Sequence, residues 1–195
     1  ILLVNVHSKI KVRPIHDATA VGINAASYLA HFANSGIDDA VPLISEGFFM
    51  GKLDVSRFFH NFPLALEVRC LFWVFFAFVF YQMNRVIFGL RNAPYFTSGY
   101  GAEIRKWILF RKIPAVHYCD DHFTSGIDYA STKANLEAIA AIFIAIGFAK
   151  AMEKFEIGQR LVYLGILFDS VKMTMSFDPL SATGFHSELT LSLSR

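Results

Sequence analysis

Tyr118-Cys119-Asp120-Asp121 sets two adjacent carboxylates between apolar runs, residues 113–116 before them and Phe123 onward after them. Apolar flanks around a short polar break read as two strands joined by a tight turn. Carboxylates held rigidly at such a turn can meet a hard cation at a defined position, since oxygen donors suit Mg²⁺. A third acid, Asp54, closes the strand-like stretch Gly51-Lys52-Leu53-Asp54 and is followed by Val55-Ser56-Arg57-Phe58-Phe59. Two-metal phosphoryl transfer needs carboxylates from separate strands around divalent ions ~3.5–4 Å apart. Asp54, Asp120 and Asp121 supply that set, with two Mg²⁺ as the expected ions and Mn²⁺ as the substitute.

The elements that must position these acids follow from periodicity and breakers. Residues 1–17 read as two short strands, and alternation in Ile10-Lys11-Val12-Arg13 puts Lys11 and Arg13 on one face. A helix is predicted over 25–33, stopped by Asn34-Ser35-Gly36, and a strand over 46–55. The uncharged run 70–84 reads as part of a buried hairpin of two strands within 70–87, since Arg69 and Arg85 close it short of the ~20 apolar residues a bilayer span needs. Asn92-Ala93-Pro94 opens a helix to about residue 111. The hairpin of 115–124 follows, then a helix over 131–147 stopped by Gly147 and a strand near 148–152. A last hairpin is expected from 161–168 and 172–176, turning at Asp169-Ser170, and 178–195 reads as a loose tail. With the inserted strands set aside, this order gives an α+β fold with the split βαβ arrangement of a ferredoxin-like sheet, which brings the end of the first strand beside the central turn.

Composition bounds the rest. The 195 residues suit one domain or one domain with a small appendage, and 54% hydrophobic content with 21 Phe exceeds what one core needs, so surfaces for partner segments are expected. The strand-like start at Ile1 reads as the middle of a longer polypeptide. Two cysteines, Cys70 and Cys119, make no disulfide framework, and with no signal peptide visible an intracellular location, cytoplasmic or nuclear, is expected, with no membrane partner. A net charge of +2 alone would not point to nucleic acid.

Taken in order, the motifs resemble the reverse transcriptase family of retrotransposon type, over about residues 11–176. Lys11-Val12-Arg13-Pro14-Ile15-His16-Asp17 is similar to the fingers segment, Leu53-Asp54-Val55-Ser56-Arg57-Phe58-Phe59 to the first palm motif, and Phe88-Gly89-Leu90-Arg91-Asn92-Ala93-Pro94 to the template and nucleotide contact motif. Tyr118-Cys119-Asp120-Asp121 resembles the hallmark catalytic box. Gly147-Phe148, Glu153-Lys154 and Tyr163-Leu164-Gly165-Ile166-Leu167-Phe168-Asp169-Ser170 resemble the closing palm and primer-grip motifs, most like those of DIRS-type and gypsy-like elements.

The resemblance implies partial fingers over 1–47, a palm with primer-grip hairpin over 48–177 and a tail or linker over 178–195. It implies Asp54 and Asp120 as principal Mg²⁺ ligands, Asp121 in support, and the Val55 carbonyl in the coordination shell. Lys11 and Arg13 would neutralise triphosphate, and Phe59, five positions after Asp54, would exclude a ribose hydroxyl. Gly89 would admit template or nucleotide close to the backbone, with Arg91 near template phosphate. Lys154, with Lys150 as competitor, would protonate departing pyrophosphate. The implied partners are an RNA or DNA template with primer, deoxynucleoside triphosphates, and the thumb and ribonuclease H or recombinase segments of a longer polyprotein.

Each residue also has an ordinary structural reading. An isolated Asp-Asp pair is mostly a turn, Phe59 a core ring beside Phe58 and Phe62, and Gly89 a packing turn. His117, Cys119 and His122 are zinc-ligand types, but strand alternation separates His117 and Cys119 from Tyr118 and Asp120, so zinc is not expected. An RNA-dependent RNA polymerase palm shares the topology, yet Tyr118-Cys119 and Phe59 argue against it. A repurposed palm that binds nucleic acid or protein without catalysis is the other reading; Phe58 and Phe155 stand where relatives carry smaller residues.

Overall fold

The computed structural model describes residues 2–6, 9–13, 16–28, 30–148, 155–178 and 190–193. In chain order the elements are β1 (Leu2–Val6), β2 (Lys9–Arg13), α1 (Ile23–Ala26), α2 (Ile37–Ala40), β3 (Phe49–Asp54), β4 (Trp73–Phe76), β5 (Val79–Gln82) and α3 (Ala93–Phe110). There follow β6 (Ala115–Tyr118), β7 (Asp121–Gly126), α4 (Tyr129–Ala145), β8 (Phe155–Gly158), β9 (Arg160–Tyr163), β10 (Ile166–Asp169), β11 (Thr174–Phe177) and β12 (Thr190–Ser192). Two compact units interleave along the chain, one of residues 1–32 and 57–99, the other of 33–56 and 100–195.

The second unit holds a four-stranded sheet in the order β6-β7-β3-β8, every neighbouring pair antiparallel. Alternation along its strands divides two layers. On one face Leu53, Gly51 and His122 meet the helices, where Phe143 of α4 stands 4.7 Å from His122, ring to ring. Gly51 is required there, because a Cβ would lie 2.8 Å from Leu136 Cδ1 and 2.9 Å from Thr132 Cγ2. On the other face Met50 and Phe123 join Tyr163, Phe168 and Leu161 in a core shared with the second sheet, ordered β12-β11-β10-β9. Asp128 caps α4, accepting from the Ser131 N–H at 2.7 Å, and Gly147 at φ 94 ends it.

The first unit pairs β1 with β2 and β4 with β5 as two-stranded sheets. Several expectations need correction. The first helix stops at Ala26 instead of running to 33, since the Ser27 hydroxyl donates back to the Ile23 carbonyl at 2.7 Å while its own backbone turns extended. The hairpin expected to be buried is exposed: Phe75, Phe78 and Phe80 are 58%, 94% and 68% accessible. Among the described residues β4 and β5 pair only with each other, so an apolar run did form strands but found no third strand. The stretch 161–168 is two strands, because Leu164 at φ 49 and Gly165 at φ 79 turn the chain between β9 and β10. The strand predicted near 148–152 lies mostly outside the described residues, and the sheet's fourth strand is Phe155–Gly158. Thr190–Ser192, within the stretch read as loose, pairs with β11. Helices and antiparallel sheets together make the fold α+β. Among the described residues no helix is long and apolar enough to cross a membrane.

Candidate functional site

The register of β3 on β7 places Asp54 directly opposite Asp121, and that of β6 on β7 places Tyr118 opposite Asp121. Cys119 and Asp120 are therefore the two residues of the turn, and Cys119 takes the left-handed conformation at φ 52 that such turns demand. One more bond ties the turn to the end of β3: the Val55 N–H donates to the Asp120 carbonyl at 2.9 Å. Asp54, Val55, Asp120 and Asp121, 65 or more residues apart in sequence across the two segments, thus meet at one sheet end, as expected from the residue pattern.

Like charges directly opposite across strands repel. Burial, then the neighbouring Asp120 and Asp54 carboxylates, push the Asp121 carboxyl up to about 6, while Lys52 pulls the other way. Lys52 is a site residue that motif reading passed over. It precedes Asp54 by two on β3, hence on the same face, and its Nζ donates to the Val162 carbonyl at 3.0 Å and pairs with Glu156 Oε2 at 3.0 Å. The signal was present as a lysine inside the strand run Phe49-Met50-Gly51-Lys52-Leu53-Asp54.

Three neighbouring carboxylates offer oxygen donors only, the donor type that suits a hard divalent cation. Burial, and after it the crowding of Asp120 and Asp54, disfavours the charged form of Asp121, and a cation there would offset both. Among the described residues, no three His, Cys, Asp or Glu side chains are already drawn around one ion position.

Behind the acids, His117 and His122 are cross-strand partners with ring centroids 6.0 Å apart, both buried. Burial holds each neutral, His117 below its ordinary value and His122 down to about 3. They face the helices: a Cβ on Gly101 of α3 would sit 2.6 Å from His117 Nε2. They are core histidines on the side of the sheet away from Asp54.

The other candidates lie in the first unit or outside the described residues. Lys11 and Arg13 are two apart on β2. Phe59 sits half-buried in a 3₁₀ turn, its ring 5.3 Å from that of Phe88. Gly89 is exposed at φ 103, a conformation that favours glycine, and Arg91 beside it is exposed. The Gly89 carbonyl accepts from the Asn24 amide at 2.9 Å, a partner that sequence reading missed because it lies 65 residues away. Lys150 and Lys154 fall outside the described residues.

No family model matches the chain, and no curated protein matches it in sequence. Among solved structures, the foamy viral protease-reverse transcriptase in complex with double-stranded DNA matches with a TM-score of 0.75 at 16% identity, over 95% of this chain and 32% of that one. A further foamy viral protease-reverse transcriptase with double-stranded DNA gives 0.70 at 13% identity, over 95% and 38%. The complex with an RNA/DNA hybrid gives 0.64 at 16% identity, over 84% and 21%. The chain spans less than two fifths of the length of any of these three, and identities this low speak for fold alone. The fold is reverse transcriptase-like.

Proposed function

We propose that this chain is a fingers and palm segment of a retroelement reverse transcriptase that adds deoxynucleotides to a primer 3′-hydroxyl on an RNA or DNA template. The observation that carries the reading is the register of Asp54 on Asp121, with Asp120 held in the adjoining turn by Val55. The order β6-β7-β3-β8, with α3 between β3 and β6 and α4 between β7 and β8, is what a ferredoxin-like palm sheet requires and supports it further.

Asp54 and Asp120, supported by Asp121 and the Val55 carbonyl, would hold two Mg²⁺. Those ions, when bound, polarise the primer hydroxyl and neutralise charge on the attacking and leaving oxygens. The chain's own residues position the rest. The 3′-hydroxyl gives up its proton to solvent as its oxygen attacks the α-phosphorus, the bond to the bridging oxygen of the β-phosphate breaks, and pyrophosphate departs with that electron pair, taking a proton for which Lys154 is the candidate donor. Arg13 by its planar fork and Lys11 as a point charge would hold the triphosphate. Phe59 would stand against the sugar's second position, and Gly89 would let template or nucleotide approach the backbone. Lys52, tied to Val162 and Glu156, holds a positive charge beside the acids and tempers their repulsion. Catalysis of this kind is positioning and charge neutralisation.

The test is primer extension on an RNA template with Mg²⁺ and deoxynucleotides, beside an Asp120→Ala, Asp121→Ala double variant. Extension that the variant loses supports the reading. A folded wild-type chain that binds primer–template and never extends it would favour a repurposed palm.

A further inference from the structure

We propose that Asn24 is a positioning residue for nucleotide selection, acting by fixing the turn Gly89-Leu90-Arg91; this rests on the polymerase reading above. One side-chain amide makes three hydrogen bonds. Asn24 Nδ2 donates to the Gly89 carbonyl at 2.9 Å and to Thr19 Oγ1 at 2.9 Å, and Asn24 Oδ1 accepts from the Arg91 N–H at 2.9 Å. The two acceptors face Nδ2 and the donor faces Oδ1, so the network itself fixes which way the amide lies.

Asparagine is suited to this task because it carries a donor and an acceptor on one plane. It bonds the carbonyl of one residue and the N–H of the second residue after it, as a neighbouring strand would, for a segment that among the described residues has no strand beside it. Flanking bonds extend the clamp: the His16 N–H donates to the Phe88 carbonyl at 3.0 Å, and Asn92 Nδ2 donates to the Tyr28 carbonyl at 2.5 Å. All four anchors of residues 88–92 come from residues 16–28.

The clamped turn is exposed and sits at φ 103 at Gly89, so its geometry is not dictated by burial. Phe88, the residue just before the turn, carries the ring that backs Phe59, at 5.3 Å and 64° between planes. Releasing Gly89 and Arg91 therefore loosens both the backbone that a nucleotide would approach and the ring behind the sugar gate. A loss of this kind shows in substrate affinity and sugar choice before it shows in the rate of the chemical step.

The experiment compares wild type, Asn24→Ala, Asn24→Asp and the control Ser27→Ala, whose hydroxyl bonds back to the Ile23 carbonyl and not to residues 88–92 among the described residues. Steady-state extension with deoxynucleotides and ribonucleotides is measured with amide exchange over residues 88–92. Misplacement near a reacting centre is costly, so Asn24→Ala is expected to raise KM for deoxynucleotide about tenfold and to lower sugar discrimination about tenfold, with kcat within about twofold. Asn24→Asp keeps the acceptor for Arg91, loses both donors, and should fall between. Faster exchange at 88–92 with KM and discrimination equal to those of the Ser27→Ala control would overturn the proposal. The two readings fail separately. If wild type binds primer–template but does not extend it, catalysis fails, and the proposal is read from binding: a roughly tenfold weaker Kd in Asn24→Ala supports it and an equal Kd overturns it. Wild type that neither binds nor extends overturns both.

Discussion

Two of the hairpins among the described residues invite comparison, each turning through two residues with left-handed backbone at a non-glycine position. In β6–β7 the turn is Cys119-Asp120, with Cys119 at φ 52; in β4–β5 it is Ala77-Phe78, at φ 50 and 62. Both are flanked by apolar runs. The first has β3 along its outer edge and then β8, so Val116 and Phe123 are buried and the acids at its tip are held by a bond from Val55. Among the described residues the second has no further strand, and Phe78 at its tip is 94% exposed. Local pattern makes a hairpin; the third strand makes it a platform on which charge can be placed.

The sharpest way to break this contrast is to alter the two tips. Removing Asp120 and Asp121 together is expected to lower primer extension by ~10³-fold or more while leaving far-UV circular dichroism unchanged. Phe78→Ser, at the other tip, should leave extension at the wild-type rate. Equal losses from both would mean that the β6–β7 tip is not special.

The platform itself is attacked through Gly51. A Gly51→Val side chain would press Leu136 and Thr132, and overpacking at such a site costs about 1–3 kcal/mol, read as a lower urea midpoint. If the midpoint does not move, α4 is not seated on β3 as described.

Asp121→Asn tests the crowding. A carboxyl raised to about 6 binds its proton more tightly folded than unfolded, so between about 4 and 6 it makes stability fall as pH rises, and at pH 7 it leaves a net penalty. Discounted for its partial exposure, the amide should gain about 1 kcal/mol at pH 7 and nothing at pH 4, as melting temperatures would show. His122 has the opposite sign: held neutral down to about 3, it costs stability as pH falls below 6.5, and that acid sensitivity should persist in the variant.

The smallest effect is expected at the exposed turn. Replacing Ala77-Phe78 by Asn-Gly, which accept positive φ readily, should stabilise by less than about 1 kcal/mol and leave extension unchanged.

The comparison also shows what the sequence could tell. The acids were legible because Asp54 ends an alternating strand and Asp120-Asp121 break two apolar runs, and register follows once those strands pair. The β9–β10 turn was missed because Leu164-Gly165 lies inside a continuous motif, although glycine at a left-handed position is its physical mark. Exposure of β4–β5 was not legible, since an apolar run fixes strand formation but not the layer that covers it. Asn24 was not legible either: its partners are 65 and 67 residues away, and nothing in a short polar turn announces them.

The divalent cation site proposed at Asp54, Asp120 and Asp121 is tested most directly, and without requiring turnover, by Mn²⁺ binding followed by electron paramagnetic resonance. The account predicts saturable binding by the wild-type chain that Mg²⁺ competes away and that is lost in Asp54→Asn and in Asp120→Asn. Equal, non-saturating binding by wild type and both variants would contradict it.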